Sequence, residues 1–338
     1  MVMMAIPAHL MVRLADGLAV GQAARFLPIS SGFGFELGLD GGWARGVDIS
    51  VRIEREDGSH RLLRGAPPLA AAICRAWEGA GDDLAGRLAP AIDTVWLEYD
   101  APEADRPWTP SLAFCRLTPA FNRLGTGKAL AVVARLHDLA GYDWDAAAER
   151  RFLALRAAGP LRHIGFPIGR KSRAVRLCFS IGMGDPAAAL DRAGLRGRGP
   201  DSLRVLQGLA PDGCETVLHL DIAGADIGPR TGLEVMPIRP GAWKPLLDGL
   251  VACGLCRADQ AALIRGWPGA PAGLWNPLAP LSRRLPDPGR WPACWEKAVI
   301  VRRASHVKLV SEPGEALTVK AYLFAGLLWN HWRVRGAA

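Results

Sequence analysis

The chain repeats one supersecondary unit, in which two short strands joined by a turn are followed by two helical stretches. The two-residue hydrophobic period of β-strands occurs in pairs near residues 33–55, 94–117, 162–182, 216–238 and 304–324. Helices are expected near 67–80, 82–92, 128–141, 143–158, 185–195, 201–209, 241–255 and 257–267. The sequence therefore predicts five hairpins with two helices between each consecutive pair.

The strands have one apolar and one polar face. Phe33, Phe35 and Leu37 alternate with Glu36 and small residues, and the later strands repeat this division. About ten antiparallel strands with all helices on one side can close into a barrel, which also removes the exposed sheet edges. We therefore expect an α/β fold over residues 1–338: a single ten-stranded antiparallel barrel built from five ααββ repeats, with helices outside and a polar lumen. An open sheet with a solvated polar face is the simpler alternative.

Composition narrows the class of protein. The formal charge of +8 favours an anionic partner, but the basic residues are spread along the chain, so a small phosphorylated ligand fits as well as nucleic acid. We predict no nucleic-acid partner. The sequence contains neither a long apolar run nor a secretory signal pattern, so no membrane partner and a cytoplasmic location are expected. Seven scattered cysteines, Cys253 and Cys256 among them, predict reduced thiols and no metal site.

The polar face of the last hairpin is basic. In HVKLVSEPGEALTVKAYL, residues 306–323, it carries His306, Lys308, Lys320 and Tyr322. Further arginines and several acids lie on the polar faces of earlier strands: Arg52, Arg176, Glu36, Asp48, Glu98, Asp100, Asp221 and Glu234. A lumen lined by these residues would be a charged binding site.

The order of these elements, over essentially the whole chain, resembles that of the ABBA-type prenyltransferases. That group includes fungal indole dimethylallyl transferases, bacterial aromatic prenyltransferases and the peptide prenyltransferases of ribosomally made cyclic peptides. Lys320-Ala321-Tyr322 is similar to the Lys-x-Tyr pattern with which the family binds diphosphate. The resemblance implies an enzyme that moves an isoprenyl group from an allylic diphosphate to an aromatic small molecule or a peptide side chain. It implies no required cofactor, with Mg²⁺ possible.

The resemblance also implies roles for residues on the polar faces. The diphosphate ligands would be Lys308, Lys320, Tyr322, Arg176 and Arg52. The base that removes the proton from the acceptor would be Glu98 or Glu36, and we favour Glu98 because Trp96 lies beside it on the same face and could stack on an acceptor. The acceptor site would be formed by Trp96, His219, Asp221, Glu234 and His306.

The chain departs from the family in the number of acids on the predicted inner face, because buried carboxylates oppose diphosphate binding. Mg²⁺, a cationic acceptor, or pairing with Arg52, Arg230 and His219 would each compensate. The alternative function is a peptide-binding or differently catalytic barrel whose acidic lumen recognises basic side chains. A nucleic-acid binder is a third possibility that rests on net charge only. We also predict a lid over residues 268–300 and a short helix at the C-terminus.

Overall fold

The computed structural model describes residues 30, 32–39, 47–56, 59–62, 66–79, 85–100, 109–182, 185–197, 200–209, 213–268 and 299–328. The strands are β1 Gly32–Gly38, β2 Asp48–Glu54, β3 Ile92–Tyr99, β4 Leu112–Leu117, β5 Leu161–Phe166, β6 Val175–Gly182, β7 Cys214–Ala223, β8 Asp226–Pro237, β9 Val299–Ser311 and β10 Thr318–Leu328. Every strand pairs antiparallel with its neighbours in sequence, and β1 also pairs with β10, which closes the barrel. The predicted ten-stranded barrel is confirmed.

Helices connect the hairpins. The α-helices are α1 Pro68–Trp77, α2 Ala85–Ala91, α3 Pro119–Asn122, α4 Thr126–Ala140, α5 Ala146–Leu155, α6 Pro186–Arg192, α7 Pro200–Leu209, α8 Trp243–Ala252 and α9 Ala258–Gly266. All but the short α3 were expected, and α5 shows why it begins where it does. The carboxylate of Asp145 accepts hydrogen bonds from the backbone N–H groups of Ala147 and Ala148, at 3.0 and 2.7 Å. No helix in the described ranges has the length and apolar character needed to cross a bilayer.

The main hydrophobic core is the layer between the barrel and the helices. The apolar strand faces predicted from the two-residue period are buried there, as Phe35 and Leu37 of β1 illustrate, together with Phe152 of α5. Trp267, just after α9, packs its ring edge-on against Phe35 and donates from Nε1 to the carbonyl of Phe324 at 3.1 Å. Because this layer takes the apolar face of the strands, the polar face is left to line the lumen.

Strand direction defines two ends of the lumen. At the upper end, the two strands of each hairpin are joined directly, for example by residues 167–174 between β5 and β6. At the lower end, the helices connect one hairpin to the next. The predicted C-terminal helix and nearly all of the predicted lid lie outside the described residues.

Candidate active site

Most of the predicted basic and acidic residues come together in the upper half of the lumen. Cross-strand register places Glu36 of β1 opposite Tyr322 of β10, and Lys320 of β10 opposite Lys308 of β9. Lys308 in turn lies opposite Glu234 of β8. These neighbours share a face because directly opposed residues in an antiparallel pair project to the same side of the sheet. The strand parity predicted from the sequence is therefore correct here.

Glu36 is held by two residues of the Lys-x-Tyr pattern. One carboxylate oxygen accepts a hydrogen bond from Lys320 Nζ, and the other accepts one from the Tyr322 hydroxyl. Burial would raise the pKa of Glu36, but the attraction of Lys320 and these hydrogen bonds together hold it below its usual value. Burial and the nearby Glu36 charge raise the pKa of Tyr322 well above its usual range, so the phenol stays protonated. The predicted second base is thus an ionised group that organises the basic strand.

Two arginines hold aspartates in the same half. Arg176 donates two hydrogen bonds, of 2.6 and 2.9 Å, to the carboxylate of Asp221. Arg170, in the segment between β5 and β6, likewise grips Asp100 with two hydrogen bonds, one of them 2.9 Å long from Nε. Burial opposes ionisation of both aspartates, but the arginines outweigh it and lower their pKa values. Arg170 was not predicted as a site residue, because residues outside the regular strands have no alternating pattern that reveals their direction.

Glu98 is the exception among these acids. Its carboxylate forms no hydrogen bond with any residue that the structure describes, and the nearest cation, Arg170 Nη2, lies 3.8 Å away. Burial and the charge of Glu36 raise the pKa of Glu98 to about 7, against the weaker opposing effects of Arg170, Lys308 and Arg176. A carboxyl group with this pKa exchanges protons near neutral pH, as a general base must.

Below Glu98 the lumen is aromatic and apolar. Trp96 meets the ring of Phe324 edge-on, with centroids 6.1 Å apart. A second cluster of apolar side chains, separate from the main core, consists of Leu112, Phe114, Cys178 and Val217, with Trp96 and Met236 against it. Gly165 makes room for Phe114, because a Cβ there would lie 2.4 Å from the Phe114 ring. The lumen therefore presents a polar upper half and, beneath it, an aromatic and apolar surface whose Phe324 ring also contacts the guanidinium groups of two arginines.

A chain of contacts joins three of the residues predicted to bind the acceptor, His219, Glu234 and His306, with Lys308. Lys308 Nζ lies 2.8 Å from His219 Nδ1, and His219 Nε2 lies 2.8 Å from Glu234 Oε1. His306 Nε2 is 3.4 Å from the same Glu234 oxygen, and its ring stacks on Tyr322 with centroids 4.2 Å apart. Burial lowers the pKa of His219 to about 4, so its ring is neutral. These side chains are thus tied to one another and to Lys308.

Arg52 lies apart from the other predicted diphosphate ligands. In the pairing of β1 with β2, Arg52 lies opposite Gly32. Gly32 is four residues before Glu36 on β1, which places Arg52 about 13 Å nearer the lower end than Glu36. Its guanidinium lies 3.2 Å from Glu54 and over the Phe324 ring, at 4.8 Å from the centroid. Arg303, which was not predicted, lies over the same ring at the same distance. The predicted basic set is therefore split between two levels of the lumen.

Most of the carboxylates in the upper half of the lumen contact a basic side chain. Of the predicted partners for the carboxylates, His219 contacts Glu234, but Arg52 contacts Glu54, and Asp221 is held by Arg176 and not by Arg230. In the described ranges, no group of three or more histidine, cysteine, aspartate or glutamate side chains is placed to hold a metal ion. Pairs with lysine or arginine side chains thus neutralise Glu36, Asp100 and Asp221, three of the six acids predicted on the inner face.

Comparisons with known proteins give similar folds but no sequence relatives. No family model matches the chain, and no curated protein matches it. Among solved structures, the complex of PriB with product diphosphate is similar at 18% identity and a TM-score of 0.48, over 93% of each chain. The 5-dimethylallyl tryptophan synthase from Streptomyces coelicolor, in complex with DMASPP and Trp, is similar at 14% identity and a TM-score of 0.48, over 97% of this chain and 95% of that one. The apo form of the prenyltransferase PriB shares 17% identity at a TM-score of 0.46, over 86% and 79%.

Proposed function

We propose that the protein is a prenyltransferase that moves an isoprenyl group from an allylic diphosphate to an electron-rich aromatic acceptor. The observation that carries this proposal is the environment of the Glu98 carboxyl group. Its carboxyl group has no hydrogen bond in the described part of the chain and a pKa near 7, and it lies between the lumen cations and the aromatic surface formed by Trp96 and Phe324. Such a group is suited to accept a proton from a molecule bound beside it.

The cations would bind the donor. Lys308, Lys320 and Arg176 all lie in the upper half of the lumen. The low dielectric of a buried site would strengthen their attraction for a diphosphate. Breaking the bond between the allylic carbon and its oxygen leaves the electron pair on the diphosphate and an allylic cation in the lumen. The π-faces of Trp96 and Tyr322 would stabilise that cation.

Glu98 would complete the reaction. Attack of the acceptor on the allylic cation forms the new carbon bond and leaves a positive charge on the acceptor. Transfer of one proton from the alkylated acceptor to the Glu98 carboxylate makes the acceptor neutral again. The diphosphate leaves with the electron pair of the broken carbon–oxygen bond. Glu36 is less suited to this step, because Lys320 and Tyr322 hold its carboxylate in the ionised, hydrogen-bonded state.

The choice of acceptor follows from the lumen surface. An aromatic metabolite or the aromatic side chain of a peptide would stack on Trp96 within reach of Glu98. The alternative, a barrel that recognises basic side chains through its acids, has less support, since Glu36, Asp100, Asp221 and Glu234 all contact cationic or histidine side chains. We propose a cytoplasmic enzyme that needs no metal, because fixed cations would neutralise the leaving diphosphate.

Calorimetric titration with dimethylallyl and geranyl thiodiphosphates, with and without Mg²⁺, tests the donor site. The account predicts micromolar binding that does not require Mg²⁺ and is lost in Lys320→Ala. Lys171→Ala is the matched control, because it removes an exposed lysine between β5 and β6, at the same end of the barrel. Absence of binding in the parent protein under both conditions would refute the proposed function.

A further inference from the structure

Lys308 is bound differently from the other lumen cations. Lys320, Arg176 and Arg170 each donate hydrogen bonds to a carboxylate. Lys308, whose side chain is only 7% exposed, has its nearest carboxylate oxygen at 3.9 Å, on Glu234. Its close partner is the ring nitrogen Nδ1 of His219, at 2.8 Å. The close partner of Lys308 is therefore a neutral imidazole, whereas the close partner of each of the other three cations is a carboxylate.

The protonation of His219 follows from its partners. An ammonium group has only protons to offer, so while Lys308 is protonated Nδ1 accepts from it and the ring proton lies on Nε2. Nε2 lies 2.8 Å from Glu234 Oε1, a close contact that lacks the angle of a hydrogen bond. The Cys178 thiol, with Sγ 3.4 Å from Nδ1, is a much weaker donor than the ammonium group. The His219 ring thus lies between Lys308, which is hydrogen-bonded to Nδ1, and Glu234, which is in close contact with Nε2.

The backbone of β8 makes room for this arrangement. Gly232 lies opposite His219 on β7 and next to the Lys308 side chain. A Cβ at Gly232 would come within 3.0 Å of Lys308 Cε and 3.1 Å of His219 Cβ. The close approach of the two side chains over this position therefore depends on a residue without a side chain.

We propose that His219 is a positioning residue that separates Lys308 from Glu234 and so keeps the ammonium group available to the donor diphosphate. The inference rests on the proposed function. Without the imidazole, Lys308 and Glu234 are close enough to form a direct ion pair in a buried site, and an ammonium group bound to a carboxylate is a weaker ligand for an incoming anion. His219 would act through Lys308 and would not touch the reacting atoms.

Calorimetric titration with inorganic pyrophosphate and dimethylallyl thiodiphosphate tests this role. His219→Ala should weaken binding of both ligands by about 10- to 100-fold, the loss of one charge-assisted contact. Adding Glu234→Gln to that variant should restore binding to within about 3-fold of the parent, because Lys308 then has no carboxylate to pair with. His219→Gln should bind nearly as well as the parent, since an amide can also accept from Lys308 and donate to Glu234.

Gly232→Ala gives an independent test that removes no functional group. The added methyl should displace Lys308 or His219 and weaken pyrophosphate binding, while the urea-unfolding midpoint shows whether the barrel is intact. Unchanged binding in His219→Ala, or a double variant as weak as His219→Ala alone, would overturn the positioning role and leave the proposed function standing. A parent protein that binds neither ligand would overturn both.

Discussion

Replacement of Glu98 by glutamine should stabilise the protein, and increasingly so as pH rises. Burial raises the pKa of Glu98 from its usual 4.5 to about 7, so the folded state binds the proton more tightly than the unfolded chain does. Ionisation of Glu98 therefore costs folding free energy. This cost is absent below pH 4.5, grows between pH 4.5 and 7, and is fully present above pH 7. A shift of this size corresponds to about 3 kcal/mol.

The free-energy cost of ionising Glu98 in the folded protein differs between pH 5 and pH 8. With these pKa values the cost in the parent is under about 1 kcal/mol at pH 5 and about 3 kcal/mol at pH 8. Glutamine keeps the shape of the side chain without the charge, so the gain in unfolding free energy of Glu98→Gln over the parent should grow by about 2 kcal/mol between these pH values. Urea unfolding followed by tryptophan fluorescence measures it.

The control for this measurement is Glu315→Gln, which removes one carboxylate from an exposed position outside the lumen. Comparison of the two variants separates the effect of burial from the general effect of removing one negative charge. If the stability advantage of Glu98→Gln is the same at pH 5 and pH 8, Glu98 does not have a raised pKa, and its role as a base near neutral pH is refuted.

Further predictions concern the lumen and one helix cap. In a prenyl-transfer assay, kcat/KM of the parent should rise between pH 6 and 8. Glu98→Gln should abolish this rise and reduce the rate by about 10²- to 10⁴-fold. A rise that persists in the variant would exclude Glu98 as the group that titrates. Lys320→Met should destabilise the protein by about 3 kcal/mol in urea unfolding, because Glu36 loses its cation. Adding Glu36→Gln should recover part of this loss, and equal stability of the single and double variants would contradict an ion pair between Lys320 and Glu36. Gly165→Ala should displace the Phe114 ring and lower acceptor affinity in titrations more than donor affinity; the reverse order would argue against an apolar acceptor surface. Asp145→Ala should cost about 1 kcal/mol of stability without changing donor binding, since it removes only the cap of α5.

Much of the fold could be predicted because the alternation of the strands is regular and the helices separate the hairpins. Where a bulge interrupts a strand, the prediction from parity fails. Between Tyr322 and Leu323 the register with β9 shifts, so that His306 and Ala304 face successive residues of β10. This shift brings Arg303 over the Phe324 ring, while Arg302 lies over Trp267. Simple alternation from Lys308 and His306 would have placed Arg302 in the lumen.

The site could be predicted as a set of residue types but not as a set of pairs. The period of each strand shows that Glu36, Glu98 and Asp221 face inward, but which cation meets which acid depends on the closure of the barrel. Arg170 shows this most clearly, because it reaches Asp100 from outside the regular strands. For the same reason, the sequence could favour Glu98 over Glu36 only through its neighbour Trp96, whereas the structure distinguishes them by their hydrogen bonds.

The most direct measurement of the central claim is pyrophosphate release from dimethylallyl diphosphate in the presence of a panel of indoles and phenols, for the parent and for Glu98→Gln. Mass spectrometry of the same reactions detects the alkylated acceptor. The account predicts equal amounts of pyrophosphate and prenylated acceptor from the parent, and prenylated acceptor at a much lower rate from Glu98→Gln. Equal rates of acceptor prenylation by both proteins, or pyrophosphate release by the parent without a prenylated acceptor, would contradict the assignment of Glu98 as the base in an aromatic prenyl transfer.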